Sequence, residues 1–298
     1  MKMIKFSDNL ELSQVTVGCM RMKDANMDKA QILRFVEECL DMGIDSFDHA
    51  PVYGATGCET LFGEAVLKKQ PGLRNKMKLV TKAGIVLPRA EGNKVIYYNS
   101  SKKKLLTEIE NSLQRLATDH VDLLLIHRPD LLADPAETAD ALETIVKEGK
   151  ALNLGVSNFM PSQMEMLQSY LSIPLVTNQV ELSVKSVDHF FNGVTDDALT
   201  RKIPLMAWSP LGGGTVFTGE DPQSLRLRET LGEIASDHRT AIDTIMYAWL
   251  FAHPAKITAI TGTMNPARIK VAADAQEIKL SYDEWYQILA ASRGYHVP

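Results

Sequence analysis

A phenol, an ammonium, a carboxylate and an imidazole are the groups that proton transfer to an oxygen requires, and this 298-residue chain offers them as Tyr53, Lys82, Asp48 and His127. Tyr53 follows Asp48 by five residues in the segment DHAPVYG. A free phenol titrates near pH ~10, so at neutral pH it carries a proton it can give. A neighbouring ammonium favours the phenolate and makes that donation easier. Lys82 can supply the positive charge, Asp48 can hold Lys82 by a charge-assisted bond, and His127 can orient a carbonyl oxygen or share the proton. Such a set protonates an oxygen as it gains negative charge; it contains no hydrolase nucleophile. Singly, each residue has an ordinary structural reading: Asp48 as a helix cap, His127 as a core histidine, Lys82 as an ion-pair partner. Only their convergence on one face argues for chemistry.

The surrounding pattern supplies that face. Short aliphatic runs, each followed by a polar turn and a helical pattern, recur along the chain. The spacing predicts strands at Val15–Gly18, Ile44–Asp48, Lys78–Lys82, Val121–His127, Ala151–Ser157, Val176–Glu181, Pro204–Ser209 and Ile257–Thr261. Between them apolar residues repeat with the helical period, as in Ile32, Phe35, Val36 and Leu40, or Leu105, Ile109, Leu113 and Leu116. Asp28, Ser100 and Thr240 are expected helix N-caps. The run VDLLLI is apolar throughout, as in a parallel sheet covered on both faces.

Eight such units predict an α/β fold, a single (β/α)8 TIM barrel spanning residues 1–298. Ile4–Phe6 and Leu10–Leu12, separated by Asp8 and Asn9, predict a hairpin ahead of it. Leu225–Ile234 and Ser281–Ala291 are expected extra helices. A doubly wound sheet is the rival, but its glycine-rich turn is missing: after the first strand the chain reads VGCMRMKD. In a barrel, functional groups sit at the C-terminal strand ends. Those ends here carry Asp48, Lys82, His127, Ser157–Asn158, Gln179 with Glu181, and Trp208–Ser209.

The net charge of −5 argues against nucleic acid as the main partner. Cys19, Cys39 and Cys58 have no CxxC spacing, which fits a reduced, cytoplasmic setting. The N-terminus MKMIKFSDNLEL is too polar for a signal peptide, and no stretch approaches a membrane span.

In this order, the segments FDHAPVYG, LVTKAG, VDLLLIHRPD, NLGVSNF, VTNQVE, MAWSPLGGG and TGTMNPARI resemble the aldo-keto reductases over nearly the whole length. The resemblance implies a barrel that binds NADPH at its C-terminal rim without a Rossmann domain. It implies reduction of aldehydes and ketones, with Tyr53 as general acid, Lys82 and Asp48 tuning it and His127 orienting substrate. It assigns Ser157, Asn158 and Gln179 to the nicotinamide carboxamide and Trp208 to stacking on the nicotinamide. Ser209, Leu211 and Gly213 fall in the segment that lets backbone approach the pyrophosphate. Gly262, Thr263 and Arg268 fall in the segment that holds the adenosine 2′-phosphate. There the chain departs from a common family version, with Gly262 in place of a lysine and Val271–Ala272 in place of Glu-Asn.

Two other readings compete. Some relatives of this family are regulatory subunits that bind NADPH and turn over slowly. A metal-dependent barrel using Asp48, His49, His127 and Glu181 is the second, although Lys82 would bring a competing charge and strand alternation should turn His49 away from Asp48. No metal is therefore expected. Met20, Arg21, Tyr97, Tyr98 and Arg128 are candidates to line the substrate pocket. The tail Tyr295–Pro298 could close over it. The short loop RPDLLADP predicts a pocket open to varied carbonyl substrates.

Overall fold

The computed structural model describes residues 1–88 and 92–296. The predicted hairpin forms from β1 (Met3–Ser7) and β2 (Leu10–Ser13), paired antiparallel. Next come β3 (Val15–Gly18), α1 (Lys29–Asp41), β4 (Ser46–Asp48), the short α2 (Cys58–Phe62) and β5 (Lys78–Ala83). A two-stranded ribbon of β6 (Ile85–Val86) and β7 (Tyr97–Tyr98) precedes α3 (Lys102–Leu116). The alternation continues through β8 (Leu123–Ile126), α4 (Pro135–Lys147), β9 (Leu154–Ser157), α5 (Pro161–Tyr170), β10 (Leu175–Glu181), α6 (Val194–Arg201) and β11 (Leu205–Trp208). After β11 come α7 (Thr215–Thr218), α8 (Pro222–Asp237) and α9 (Ile242–Phe251), then β12 (Thr258–Thr261), α10 (Pro266–Asp274) and α11 (Tyr282–Arg293). The expected extra helices are thus α8 and α11.

Strands β3, β4, β5, β8, β9, β10, β11 and β12 close in that order into a parallel barrel, with β12 returning to β3. The apolar run of β8 divides between its two sides. Leu123 and Leu125 point inward with Val80, Val176, Met206 and Ile260, while Leu124 and Ile126 join the layer beneath the helices. Ile4, Phe6, Leu10 and Leu12 of the hairpin bury against that inner layer and plug the barrel's N-terminal end. Burying each such side chain contributes roughly 1.5–3 kcal/mol. The lower barrel is thus mostly apolar, with a small buried hydroxyl cluster of Ser13, Thr16 and Ser46, and the charged and amide side chains of the site lie at the opposite rim.

Of the expected caps, Asp28 forms a full capping box with Gln31. Ser100 does not cap α3. Its N–H goes to Asp130 Oδ2 and its carbonyl accepts from Thr138, which ties it to the neighbouring connection and moves the helix start to Lys102. Thr240 instead donates its N–H to the Ala235 carbonyl and so ends α8; Ala241 stands at the N-cap of α9. A hydroxyl before an apolar run has the pattern of a cap, but at Ser100 a distant partner, Asp130, claims its backbone N–H, and at Thr240 a local bond to Ala235 does.

Candidate active site

At the C-terminal rim β4, β5 and β8 lie side by side, so Asp48, Lys82 and His127 come together as the strand-end argument required. The side chain of Lys82 is wholly buried. Its ammonium has three acceptors: Asp48 Oδ2 at 2.6 Å, the His49 carbonyl at 2.9 Å and the Tyr53 oxygen at 3.0 Å. An ammonium has three protons, and all three are engaged. Asp48 uses its other oxygen to accept from Gln179 Nε2 at 2.9 Å. The buried pair is thus fully hydrogen-bonded, the condition under which such a charge pair is tolerated. Burial opposes the charge on Lys82, but Asp48 and Tyr53 outweigh it and raise its proton affinity above the ordinary value.

Tyr53 reaches this pair from the loop after β4. Burial pushes its phenol up to about 12, against the downward pull of Lys82. The expected lowering by the ammonium is therefore present but is exceeded by desolvation. The His127 ring stands edge-on to Tyr53, with centroids 6.1 Å apart. Burial, together with the charges of Lys82 and Arg128, lowers its imidazole to about 2. It is a neutral ring at physiological pH.

These groups form the floor of a cleft of about 720 Å³, within the ordinary size of ligand sites. The cleft is lined by Asp48, Tyr53 and His127 and by all ten residues assigned above to the cofactor: Ser157, Asn158, Gln179, Trp208, Ser209, Leu211, Gly213, Gly262, Thr263 and Arg268. Lys82 lies behind this wall. Trp208 Nε1 donates to Asn158 Oδ1 at 3.0 Å, and Asn158 Nδ2 donates to Ser157 Oγ at 2.8 Å, which holds the indole and the amide in one arrangement. Ser157 passes its own proton to the Gln179 carbonyl. Asn158 and Ser209 both sit at φ values of +60° and +52°, a left-handed conformation that non-glycine residues avoid unless their surroundings impose it. Gly213 has φ +66° with open space around its α-carbon, so here the backbone angle is what calls for glycine.

Of the pocket candidates, Met20, Arg21 and Arg128 line the cleft, and the Arg128 guanidinium lies 5.8 Å from the centre of the Trp208 ring. Tyr97 and Tyr98 do not line it; they belong to the exposed ribbon of β6 and β7. Tyr295 packs on Arg293 and is not among the residues lining the cleft, and Val297 and Pro298 lie outside the described residues. His49 is turned from Asp48, its ring edge-on to Phe62 at 4.6 Å between centroids. With Asp48 taken by Lys82, the metal-ligand reading is not assembled, and no cation-binding cluster occurs among the described residues. Phe217, Thr218, Asp243 and Tyr247 also line the cleft and were not foreseen. They come from α7 and α9, where their spacing reads as ordinary helix. No helix among the described residues is long and apolar enough to cross a membrane.

A model described as the aldo/keto reductase family matches residues 14–293. The uncharacterized oxidoreductase YcsN of Bacillus subtilis is 43% identical over the full length of both chains. A 6-dehydroglucose reductase of Agrobacterium fabrum is 40% identical, again covering 100% of each. The crystal structure of an aldo/keto reductase from Klebsiella pneumoniae in complex with NADP and acetate is similar with a TM-score of 0.79 at 26% identity, covering 100% of this chain and 96% of that one.

Proposed function

The chain belongs to the aldo/keto reductase family, and on that premise we propose that it reduces aldehydes and ketones to alcohols with NADPH, Tyr53 being the general acid. One observation carries this reading: Lys82 spends its three protons on Asp48, the His49 carbonyl and the Tyr53 oxygen. The phenol oxygen therefore accepts from the ammonium at 3.0 Å, and its own proton, engaged only in a long 3.4 Å bond to Asp48 Oδ2, would turn to a substrate oxygen in the cleft.

The residues along the cleft fit NADPH in an extended form. The lining combines three guanidiniums, Arg21, Arg128 and Arg268, with the proton donors and a glycine-rich left-handed turn. Asn158 and Ser157 would hold the carboxamide. Gln179, whose Nε2 is committed to Asp48, would present Oε1 as an acceptor to it. Trp208 would give the nicotinamide an aromatic face, a contact contributing roughly 0.5–1.5 kcal/mol beyond area burial. Bound NADPH supplies the hydride. His127, neutral, would orient the substrate's carbonyl oxygen toward Tyr53, and Tyr53 would protonate that oxygen as negative charge develops on it. Lys82 then stabilises the phenolate that remains.

Free, buried thiols at Cys19, Cys39 and Cys58 support a reducing, cytoplasmic setting. The partner is a small carbonyl compound, neither nucleic acid nor membrane. The test is quenching of intrinsic fluorescence by NADPH, followed by NADPH oxidation with a panel of aldehydes and ketones that includes 6-dehydroglucose. Micromolar binding with turnover is expected. Binding with no turnover on any carbonyl would replace this reading by the regulatory one, and absence of binding would overturn both.

A further inference from the structure

The short helix α2 stands behind the candidate site and touches it at three points. The N–H of Cys58, its first residue, donates to the Tyr53 carbonyl. The ring of Phe62, its last residue, meets the His49 ring, and the His49 carbonyl takes one proton of the Lys82 ammonium. Between these two contacts lies Glu59, buried, whose Oε1 accepts from Thr81 Oγ1 at 2.7 Å. Thr81 directly precedes Lys82 on β5. Neither Glu59 nor Thr81 lines the cleft.

The other side of α2 is fastened to α3. Glu59 Oε2 accepts from Arg115 Nε at 2.8 Å and from Ser112 Oγ at 3.2 Å. A Cβ built on Gly63, the residue after α2, would lie 2.1 Å from the Arg115 carbonyl oxygen, so the two backbones are in direct contact there. Glu59 is thus the α2 side chain that bonds β5 and α3 at once. The segment joining Tyr53 to α2 is strained by comparison. Gly54, Ala55 and Thr56 follow one another at φ +57°, +52° and +74°, a left-handed run that alanine and threonine leave unless their surroundings impose it. Released at its α2 end, such a run relaxes and carries Tyr53 with it.

We infer that Glu59, acting through Thr81, is a positioning residue for proton transfer: it clamps α2 between β5 and α3 and so sets the Tyr53 phenol against the Lys82 ammonium. The quantity it governs is the 3.0 Å separation of the Tyr53 oxygen from Lys82 Nζ. A displacement of about 1 Å in a reacting pair can lower the rate by roughly 10²-fold.

The inference rests on Tyr53 being the general acid, and the experiment keeps the two apart. NADPH oxidation is followed on the full chain with the best carbonyl of the panel, kcat is measured in H2O and in D2O, and NADPH dissociation constants come from fluorescence quenching. Thr81→Val keeps the shape of the side chain and removes the hydroxyl that binds Glu59 to β5. It is expected to lower kcat about tenfold or more, to raise the solvent isotope effect on kcat as proton delivery becomes limiting, and to leave the NADPH dissociation constant within about twofold. Thr81→Ser restores the hydroxyl and should bring kcat back to within about threefold of wild type. Ser112→Ala removes a bond to the same carboxylate on the α3 side and should change kcat less than about twofold. Glu59→Asp is a second probe: one methylene shorter, it cannot reach Thr81 and Arg115 together, and it should repeat the Thr81→Val pattern. Unchanged kcat in folded Thr81→Val would overturn the inference. Equal losses of kcat in Thr81→Val and Ser112→Ala would overturn it too, since they would report general loosening and not the placement of the phenol. So would a loss of NADPH affinity as large as the loss of kcat. Wild-type protein that turns over no carbonyl, or Tyr53→Phe protein that keeps full kcat, would instead overturn the proposed function itself.

Discussion

Replacing His49 by methionine should flatten the dependence of folding stability on acid. The imidazole is fully buried against Phe62, and neither of its ring nitrogens has a hydrogen-bond partner among the described residues. Burial, with a smaller push from Lys82, lowers its proton affinity from the ordinary 6.5 to about 3. In the folded protein it stays neutral, whereas in the unfolded chain it takes up a proton below its ordinary value. The stability this group contributes is thus complete above pH 6.5 and is lost as pH falls toward 3. Between pH 7 and pH 5, linkage with those two values amounts to roughly 2 kcal/mol. Methionine has a similar volume and adapts to irregular cavities. Any packing cost it brings is the same at every pH and cancels in the difference. His127 pulls in the same direction, but it is present in both proteins and cancels too. The assay is urea unfolding followed by tryptophan fluorescence at pH 7, 6 and 5. Wild type should lose roughly 2 kcal/mol more than the variant over that range. Equal losses would show that His49 is either protonated in the fold or hydrogen-bonded, and would refute the reasoning.

Other substitutions test the site directly. Tyr53→Phe should lower kcat by about 10²–10⁴ or more while leaving the NADPH dissociation constant within about twofold, since only the proton donor is removed; a matching loss of affinity would contradict that role. Because burial holds the Tyr53 phenol up near 12, its acid form persists through neutral pH. kcat/KM for reduction should therefore be flat from pH 6 to 9 and fall only on the alkaline side, as the phenol loses its proton. A decline centred near pH 7 would transfer the acid's role to His127. Trp249 and Trp285 stack on each other and exchange indole N–H bonds, so Trp208 is the one tryptophan lining the cleft. Trp208→Phe should then abolish most of the NADPH-induced quenching, with affinity measured by calorimetry falling less than tenfold; quenching that survived would place the nicotinamide elsewhere.

The barrel was legible in the sequence because its information is local and repeated. Each strand is an apolar run that must be covered on both sides, each helix shows one apolar stripe, and eight repeats close a ring. The placement of the candidate site was legible for the same reason, since in that ring Asp48, Lys82, His127, Ser157, Gln179 and Trp208 all fall at strand ends on one rim. Strand alternation alone sent His49 the other way, into the wall against Phe62. Distances between distant segments were not legible. Whether Ser100 caps a helix depends on Asp130, thirty residues on; Thr240 is a local case, where a helix-ending bond to the Ala235 carbonyl competes with the start of the next helix. Periodicity says nothing of Tyr97 and Tyr98 leaving the cleft for a ribbon. The balance at Tyr53 was equally hidden. A sequence places an ammonium beside a phenol, but only the packed structure states how much water is excluded, and here exclusion outweighs the charge. Arg21 shows the limit most plainly. It lies 241 positions from Gly262 in the chain, and only the pairing of β3 with β12 brings its guanidinium beside that residue.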